Sequence, residues 1–364
     1  MLVLNKRFLR NFDWFSFFVI VTIASLGLLF VFSATYKPTR PFSLFFKKQL
    51  FGIISGIFLY IFFSMVDHRQ LMRFGYFLYF LVIASLTFTL IKGSVGMGAQ
   101  RWINLMFFKV QPSELAKLLL PAFIAYFLKT KKDQSLVTFR NFIPILLILS
   151  ISFLLILKQP DLGTALILLF SGLVLLWLAG IGKIFFLSIL ILSAIGTPCY
   201  WKMLKPYQKK RLEVFFGYGT NRKERYQIEQ SQISIGSGGL VGKGILKGTQ
   251  NKLFFLPESR TDFIFSVICE EWGFLGAISI LFLYMILFLR LLAIAARLHC
   301  QFLQIFAVGL ILHIIISAII NIFMVTGLLP TVGIPLPLMS YGLSNLWTTF
   351  ISLGCFNSIK IQGR

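Results

Sequence analysis

Acidic residues are what this 364-residue chain has least of: Asp and Glu number 12 against 35 Lys and Arg, a formal charge of +23. Charged residues of both signs make up only 13% of the sequence. A soluble domain carries about 25%, so a water-exposed globule is excluded. Disorder is excluded too, because its signature is low hydrophobicity and 57% of these residues are apolar. Cys199, Cys269, Cys300 and Cys355 are widely spaced with no C-x-x-C pair, and His68, His299 and His313 are equally scattered. Such spacing argues against a zinc site and leaves the thiols as packing residues. Basicity of this size often signals nucleic-acid binding, but here the cations sit beside long uncharged apolar runs. The composition is that of a polytopic membrane protein without a nucleic-acid partner.

A helix crossing hydrocarbon needs about 20 mostly apolar residues. Runs bounded by Lys, Arg, Pro or Gly clusters predict ten such helices, at 14–34, 49–66, 74–91, 113–128, 142–157, 162–179, 183–201, 262–290, 304–328 and 335–359. Helix is preferred over strand because the runs exceed barrel-strand length and do not alternate. The expected fold is all-α: one integral membrane domain over 1–364, with a long loop at 202–261 between helices seven and eight. The first run follows Lys6, Arg7 and Arg10. It is too long for a signal-peptide core, so it reads as a retained anchor. With the N-terminus inside, cytoplasmic segments hold 14 basic residues and the short outer loops 8. The 202–261 segment holds 12 more, but long loops determine topology poorly. Both termini are therefore expected on the cytoplasmic side, and the long loop outside.

Even-numbered loops are bland and basic, such as Asp67-His68-Arg69 and Arg297-Leu298-His299. Odd-numbered loops after the first carry nearly everything costly. They hold Arg101-Trp102 with Gln111-Pro112-Ser113-Glu114, then Gln159-Pro160-Asp161, then Ile235 to Gly239 with Pro257 to Asp262, and finally Gly333 to Pro337 running into Ser340-Tyr341-Gly342. All odd loops lie on one face whichever end is inside. Ionisable groups and irregular backbone at a membrane edge are expensive and usually functional. A site open to one face follows.

The few acids can be weighed singly. Asp13, Asp67 and Asp133 fall at cytoplasmic helix ends, and Glu213, Glu224, Glu229 and Glu258 in the long loop. Glu114 and Lys117, three apart on one helix face, suit either a satisfied ion pair or a polar cavity wall. Asp161 suits a helix cap or a site residue. Thr261 or Asp262 suits a cap for the eighth run, while Asp262 with Arg260 nearby also suits chemistry. Glu270 and Glu271 point about 80° and 180° away from Asp262 on a continuous helix, which favours hydrogen bonds to neighbouring helices. The long loop carries 12 basic and 4 acidic residues with Tyr207, Phe215, Phe216 and Tyr218 interleaved, fitting either an interfacial segment or a phosphate-binding surface. Its glycines match neither nucleotide-loop spacing, since Ser237 and Val241 stand at required glycines. Gly52 and Gly56 form a small-xxx-small pair, a close helix contact or a docking face.

Taken in order, Arg101-Trp102, Gln111 to Lys117, Gln159 to Thr164, Ile235 to Leu240, Leu256 to Phe265, and Pro335 to Gly342 resemble the SEDS family of bacterial cell-wall polymerases over nearly the whole chain. Lys247-Gly248-Thr249-Gln250 looks like the elongation branch, RodA, rather than the division branch, FtsW. Two features depart from the pattern: Leu343 stands where the family usually has a second glycine, and the stretch 217–225 is unusual. The resemblance implies polymerisation of lipid II, a disaccharide-peptide on a polyprenyl diphosphate, at the bacterial cytoplasmic membrane. It implies a class B penicillin-binding protein as transpeptidase partner. Asp262 matches the family's catalytic aspartate, and Glu114 with Lys117 its polar cavity pair. Arg101, Trp102, Asp161, Arg260, Ser237 and Gly238 complete the expected substrate-binding set. No cofactor is identified, and a divalent cation on the diphosphate stays open.

As an inverting glycosyltransferase, the protein would use Asp262 as general base and the cationic loop to stabilise the departing diphosphate. The rival readings are a lipid-linked precursor transporter and a non-catalytic scaffold of the elongation complex. A transporter places its polar groups near the midplane, whereas these crowd one face.

Overall fold

The computed structural model describes residues 6–96, 99–105, 108–131, 139–203, 206–218, 222–253 and 255–362. Each of the ten apolar runs carries a helix of 16 residues or more. They are α2 (Trp14–Thr35), α3 (Leu44–Met65), α4 (His68–Lys92), α5 (Pro112–Thr130), α6 (Ile143–Lys158), α7 (Leu162–Leu178), α8 (Lys183–Met203), α12 (Ile264–Ala296), α13 (Gln301–Thr326) and α14 (Leu343–Gln362). A short α1 (Lys6–Asn11) precedes them, and α9 (Pro206–Phe215), α10 (Arg222–Ser237) and α11 (Thr249–Lys252) lie between α8 and α12. Among the described residues, six helices are long and apolar enough to cross a membrane: α2, α3, α4, the 140–158 stretch containing α6, α12 and α13. The chain is a multi-pass, all-α membrane protein. Outward faces carry apolar side chains such as Phe58, Leu81 and Ile184, a surface of the kind that meets lipid rather than water.

Local chemistry sets the helix ends. Ser43, Asp67 and Asp161 cap α3, α4 and α7, accepting from the backbone N–H of Phe46, Arg69 and Thr164. Pro112 opens α5 at a position where its missing N–H costs nothing. α5 and α13 occupy the centre, with most of their side chains buried. Gly52 and Gly56 are a close helix contact: a Cβ on Gly56 would stand 2.3 Å from the Phe350 ring, and one on Gly52 2.6 Å from Leu343. Leu343, the departure from the family pattern, thus fills the α3–α14 seam.

Several expected boundaries move. The third run starts six residues early, at His68, because Asp67 supplies the cap. The eighth begins at Ile264, not Asp262. Phe263 occupies the N-cap position without a side-chain bond, so neither Thr261 nor Asp262 caps it. The helical angles drawn from Asp262 to the two glutamates therefore do not apply. The tenth run was expected from residue 335, but α14 starts at Leu343. Pro335 and Pro337 lack the N–H a helix needs, and Leu338 takes a left-handed φ of 66°. The segment expected as a long loop at 202–261 contains three helices. The stretch between α4 and α5 is an antiparallel meander of β1 (Ser94–Gly96), β2 (Ala99–Leu105) and β3 (Phe108–Val110). Trp102 pairs with Ser94, and Ile103 with Val110. Asp133 and residues 219–221 of the unusual 217–225 stretch lie outside the described residues.

α12 is broken at Gly273, whose φ of 65° and ψ of −161° belong to a region only glycine occupies readily. A break inside a helix frees backbone groups that must be paired elsewhere at membrane depth. The glycine-rich segment after α10 pairs them. The N–H groups of Lys243 and Gly244 donate to the carbonyls of Glu270 and Glu271, and those of Phe274 and Leu275 donate to Gly239 and Leu240.

Candidate functional site

Asp262 stands in the turn just ahead of α12, and the three consecutive carbonyls of Arg260, Thr261 and Asp262 are all held from α13 and the last loop. Tyr341 N–H donates to the Arg260 carbonyl at 2.9 Å. Ser340 Oγ donates to the Thr261 carbonyl at 2.5 Å and accepts from Leu336 N–H at 2.8 Å. Asn321 Nδ2, on α13, donates to the Asp262 carbonyl at 2.8 Å and to the Ile334 carbonyl at 2.7 Å. Glu258 accepts from Thr261 Oγ1 at 3.0 Å within the same turn. The Asp262 side chain faces Gly333, where a Cβ would lie 3.4 Å from its Oδ2. Burial pushes the Asp262 carboxyl up to about 6; Glu258 and Asp161 add to the rise, and Arg211 and Arg101 oppose it.

Arg101, on β2, reaches Asp161 at 3.3 Å. Asp161 also accepts from Gln111 Nε2 at 2.7 Å while capping α7 through its other oxygen at 3.2 Å. The cap reading of Asp161 holds, and the same carboxylate that starts α7 also anchors an arginine. Gln111 in turn donates its backbone N–H to Ser344 Oγ at 3.2 Å. One turn into α5, Glu114 and Lys117 pair at 2.8 Å, both about 95% buried, and Asn345 donates to the second Glu114 oxygen at 3.2 Å. Behind them His313, on α13, shares a 2.9 Å hydrogen bond with Ser352. The result is a polar wall running inward from Asp262 between α5, α13 and α14.

The remaining expected residues are distributed differently. Arg260, two positions from Asp262, places its guanidinium over the Phe45 ring at 4.1 Å. The strongest cationic influences on Asp262 come instead from Arg211 on α9 and Arg101 on β2. Ser94 Oγ donates to the Trp102 carbonyl at 3.0 Å, which ties Trp102 into the meander. Ser237 and Gly238 sit at the end of α10, about two helical turns along α12 from Asp262. A Cβ on Gly238 would overlap the Cys269 carbonyl, and Ser237 Oγ accepts from Lys243 Nζ at 2.8 Å. Lys243 also pairs with Glu270 at 2.7 Å, whose same oxygen accepts from Thr249 and Gln250. Glu271 accepts from Ser33 of α2. Glu271 thus makes the expected hydrogen bond to a neighbouring helix, whereas Glu270 binds the 243–250 segment rather than a spanning helix.

Sequence reasoning passed over Arg211, Asn321 and Asn345, and named Glu258 only as a member of the long loop and its 256–265 motif. Arg211 was hidden among the charges of a segment read as loop. Asn321 and Asn345 carried a usable signal: each is a lone amide in an apolar run, and such groups are costly in a membrane. Among the described residues, no three His, Cys, Asp or Glu side chains gather as a metal cluster.

Residues 13–364 match the family FTSW_RODA_SPOVE, described as cell cycle protein. The chain is 36% identical over 315 residues to the peptidoglycan glycosyltransferase MrdB of Escherichia coli K12, covering 86% of this chain and 85% of that protein. It is 35% identical over 366 residues to a probable peptidoglycan glycosyltransferase FtsW of Trichlorobacter lovleyi, covering 98% and 96%. Its fold superposes with a TM-score of 0.82 on a chain from a peptidoglycan synthase complex that coordinates polymerization and crosslinking. That chain is 29% identical, with 96% of this chain and 97% of the other covered.

Proposed function

Because this chain belongs to the FTSW_RODA_SPOVE family, we propose that it is a peptidoglycan glycosyltransferase that polymerises lipid II into glycan strands, with Asp262 as its general base. The acceptor sugar hydroxyl loses its proton to the Asp262 carboxylate as its oxygen bonds to the anomeric carbon of the donor. The bond from that carbon to the diphosphate oxygen breaks on the opposite face, which inverts the centre. The electron pair leaves on the diphosphate. A diphosphate leaves without a protein acid if its charge is met, so one carboxylate and fixed cations are enough. Arg101 and Arg211, whose charges already act on Asp262, are the cations for that task. Asp161, itself held by Gln111, anchors Arg101, and the Glu114–Lys117–Asn345 wall receives the polar sugar-peptide portion.

The Glu258 charge adds to the cost of ionising Asp262, which is the setting a divalent cation relieves. These two carboxylates would hold such an ion, and it would supply further charge neutralisation for the diphosphate. The protein resides in the bacterial cytoplasmic membrane with both termini inside and the 202–261 segment outside. It acts in cell elongation with a class B penicillin-binding protein. Identity to MrdB and to FtsW relatives is nearly equal, so the elongation role rests on Lys247-Gly248-Thr249-Gln250.

The observation that carries the reading is the Asp262 turn, pinned through three successive backbone carbonyls with the charges of Arg211 and Arg101 acting on its carboxylate. The test is polymer formation from purified lipid II by Asp262→Asn. Loss by a factor of about 10² to 10⁴ is the effect expected for a general base; full activity with normal folding would sink the assignment. Passage of labelled lipid II between liposome leaflets without polymer would instead mark a transporter.

A further inference from the structure

The turn that carries Asp262 has no side-chain cap and no regular secondary structure of its own. Its geometry has to come from outside. Each of its three successive carbonyls, on Arg260, Thr261 and Asp262, receives one hydrogen bond from a different donor: Tyr341 N–H, Ser340 Oγ and Asn321 Nδ2. Two of those donors bind a second partner in the last loop at the same time. Ser340 Oγ accepts from Leu336 N–H, and the Asn321 amide also donates to the Ile334 carbonyl. The turn and the 333–341 loop are thus stitched together at both ends through two side chains. Asn321 is fully buried and Ser340 is 5% exposed, so neither bond competes with bulk water. An amide this deep in a helix as apolar as α13 is expensive unless it is used.

From this geometry we infer that Asn321 and Ser340 are positioning residues for the glycosyl transfer, fixing the Asp262 turn against the last loop so that the carboxylate keeps its place. The inference rests on the reading of Asp262 as the base. Asn321 and Ser340 touch only backbone of that turn, so they act through Asp262 and not on the substrate. The charged groups acting on the carboxylate are Glu258 in its own turn, Arg211 on α9, Arg101 on β2 and Asp161 at the start of α7. A turn released from its stitches takes the carboxylate out of that arrangement. Displacement by about 1 Å is enough to cost up to a hundredfold in rate.

The experiment compares the full-length protein, as wild type, Asn321→Leu, Ser340→Ala, Ser340→Thr and Asp262→Asn, for polymerisation of purified lipid II across pH. Thermal unfolding in the same detergent is measured alongside. Asn321→Leu removes both donors while keeping the branched shape, Ser340→Ala removes both roles of the hydroxyl, and Ser340→Thr restores them. Loosening is expected to lower kcat roughly tenfold to a hundredfold with KM changed less than about threefold. The acidic limb of the pH–rate profile should move to lower pH as the carboxyl regains water, and Ser340→Thr should recover most of kcat. A protein that is merely destabilised would lose folded material while the surviving fraction kept the wild-type limb and kcat. If Asn321→Leu fails to fold, Ser340→Ala with its threonine rescue decides alone. Wild-type kcat and acidic limb in the folded variants, with Asp262→Asn inactive, would overturn the positioning role and leave the base reading intact. An active Asp262→Asn would overturn both.

Discussion

At the scale of single residues, the site depends on carboxylates kept in different electrostatic company. Asp262 is raised to about 6 chiefly by burial. A general base works ionised, so polymerisation should fall as pH drops below about 6 and level off above it; a pH series on kcat checks this. Glu114 is instead paired directly, with Lys117 at 2.8 Å and almost no water around either. Removing one member of such a pair strands the other charge, at a cost of about 3–5 kcal/mol. Lys117→Met should therefore lower the unfolding temperature sharply. The double substitution Glu114→Gln with Lys117→Met should regain much of that loss while activity stays low. The scarcity of acids narrowed the search: with 12 in the chain, each could be placed, which left Glu114, Asp161, Asp262, Glu270 and Glu271, and the family resemblance then selected Asp262. Lone amides gave no comparable alarm, so Asn321 and Asn345 were passed over although burial in an apolar helix makes them equally costly.

At the scale of elements, each of the ten apolar runs carries a helix, and among the described residues six of these helices have the length and apolarity that hydrocarbon demands. What lay outside hydrocarbon followed other rules. Nothing in the composition of 94–110 separates a loop from a three-strand meander whose register is settled by its own backbone pairing. The helices α9 and α10 were obscured because their polarity gave no apolar run to read. The break in α12 is the sharpest case. A single glycine in an apolar run is unremarkable by sequence, yet Gly273 takes a left-handed φ and lies against the 239–242 backbone, where a Cβ would come within 2.4 Å of Gly242 N. Gly273→Ala should cost at least about 1–3 kcal/mol from backbone strain alone. Its expected signature is a lower yield of folded protein in detergent and loss of polymerisation, with α12 intact by circular dichroism.

At the scale of the whole molecule, the end opposite the site is closed by one acid. Asp13 pairs with Arg290 at 2.6 Å and Lys360 at 3.2 Å, and accepts from Ser16 at 2.7 Å, so the start of α2 meets the ends of α12 and α14. Burial alone would raise the Asp13 carboxyl, but these partners outweigh it and hold the group below its ordinary value of 3.8. A carboxyl lowered on folding contributes stability above that value and loses it as pH falls through the folded value. Asp13→Asn should consequently lower the unfolding temperature at neutral pH by the equivalent of about 1.5–3 kcal/mol, flatten the acid side of the stability curve below about pH 4, and leave KM for lipid II unchanged.

The break at Gly273 also acts as a depth gauge. α12 has 33 residues, and at 1.5 Å each a straight rod would be about 50 Å long, far more than the roughly 30 Å of hydrocarbon. The portion after Gly273 comes to about 35 Å on the same rise, close to one crossing. The portion before it, with Asp262 just ahead of it, is not needed for that crossing. Set at the headgroup level, where a polyprenyl chain would carry its diphosphate, the carboxylate would meet the reacting carbon without the sugar having to enter the membrane.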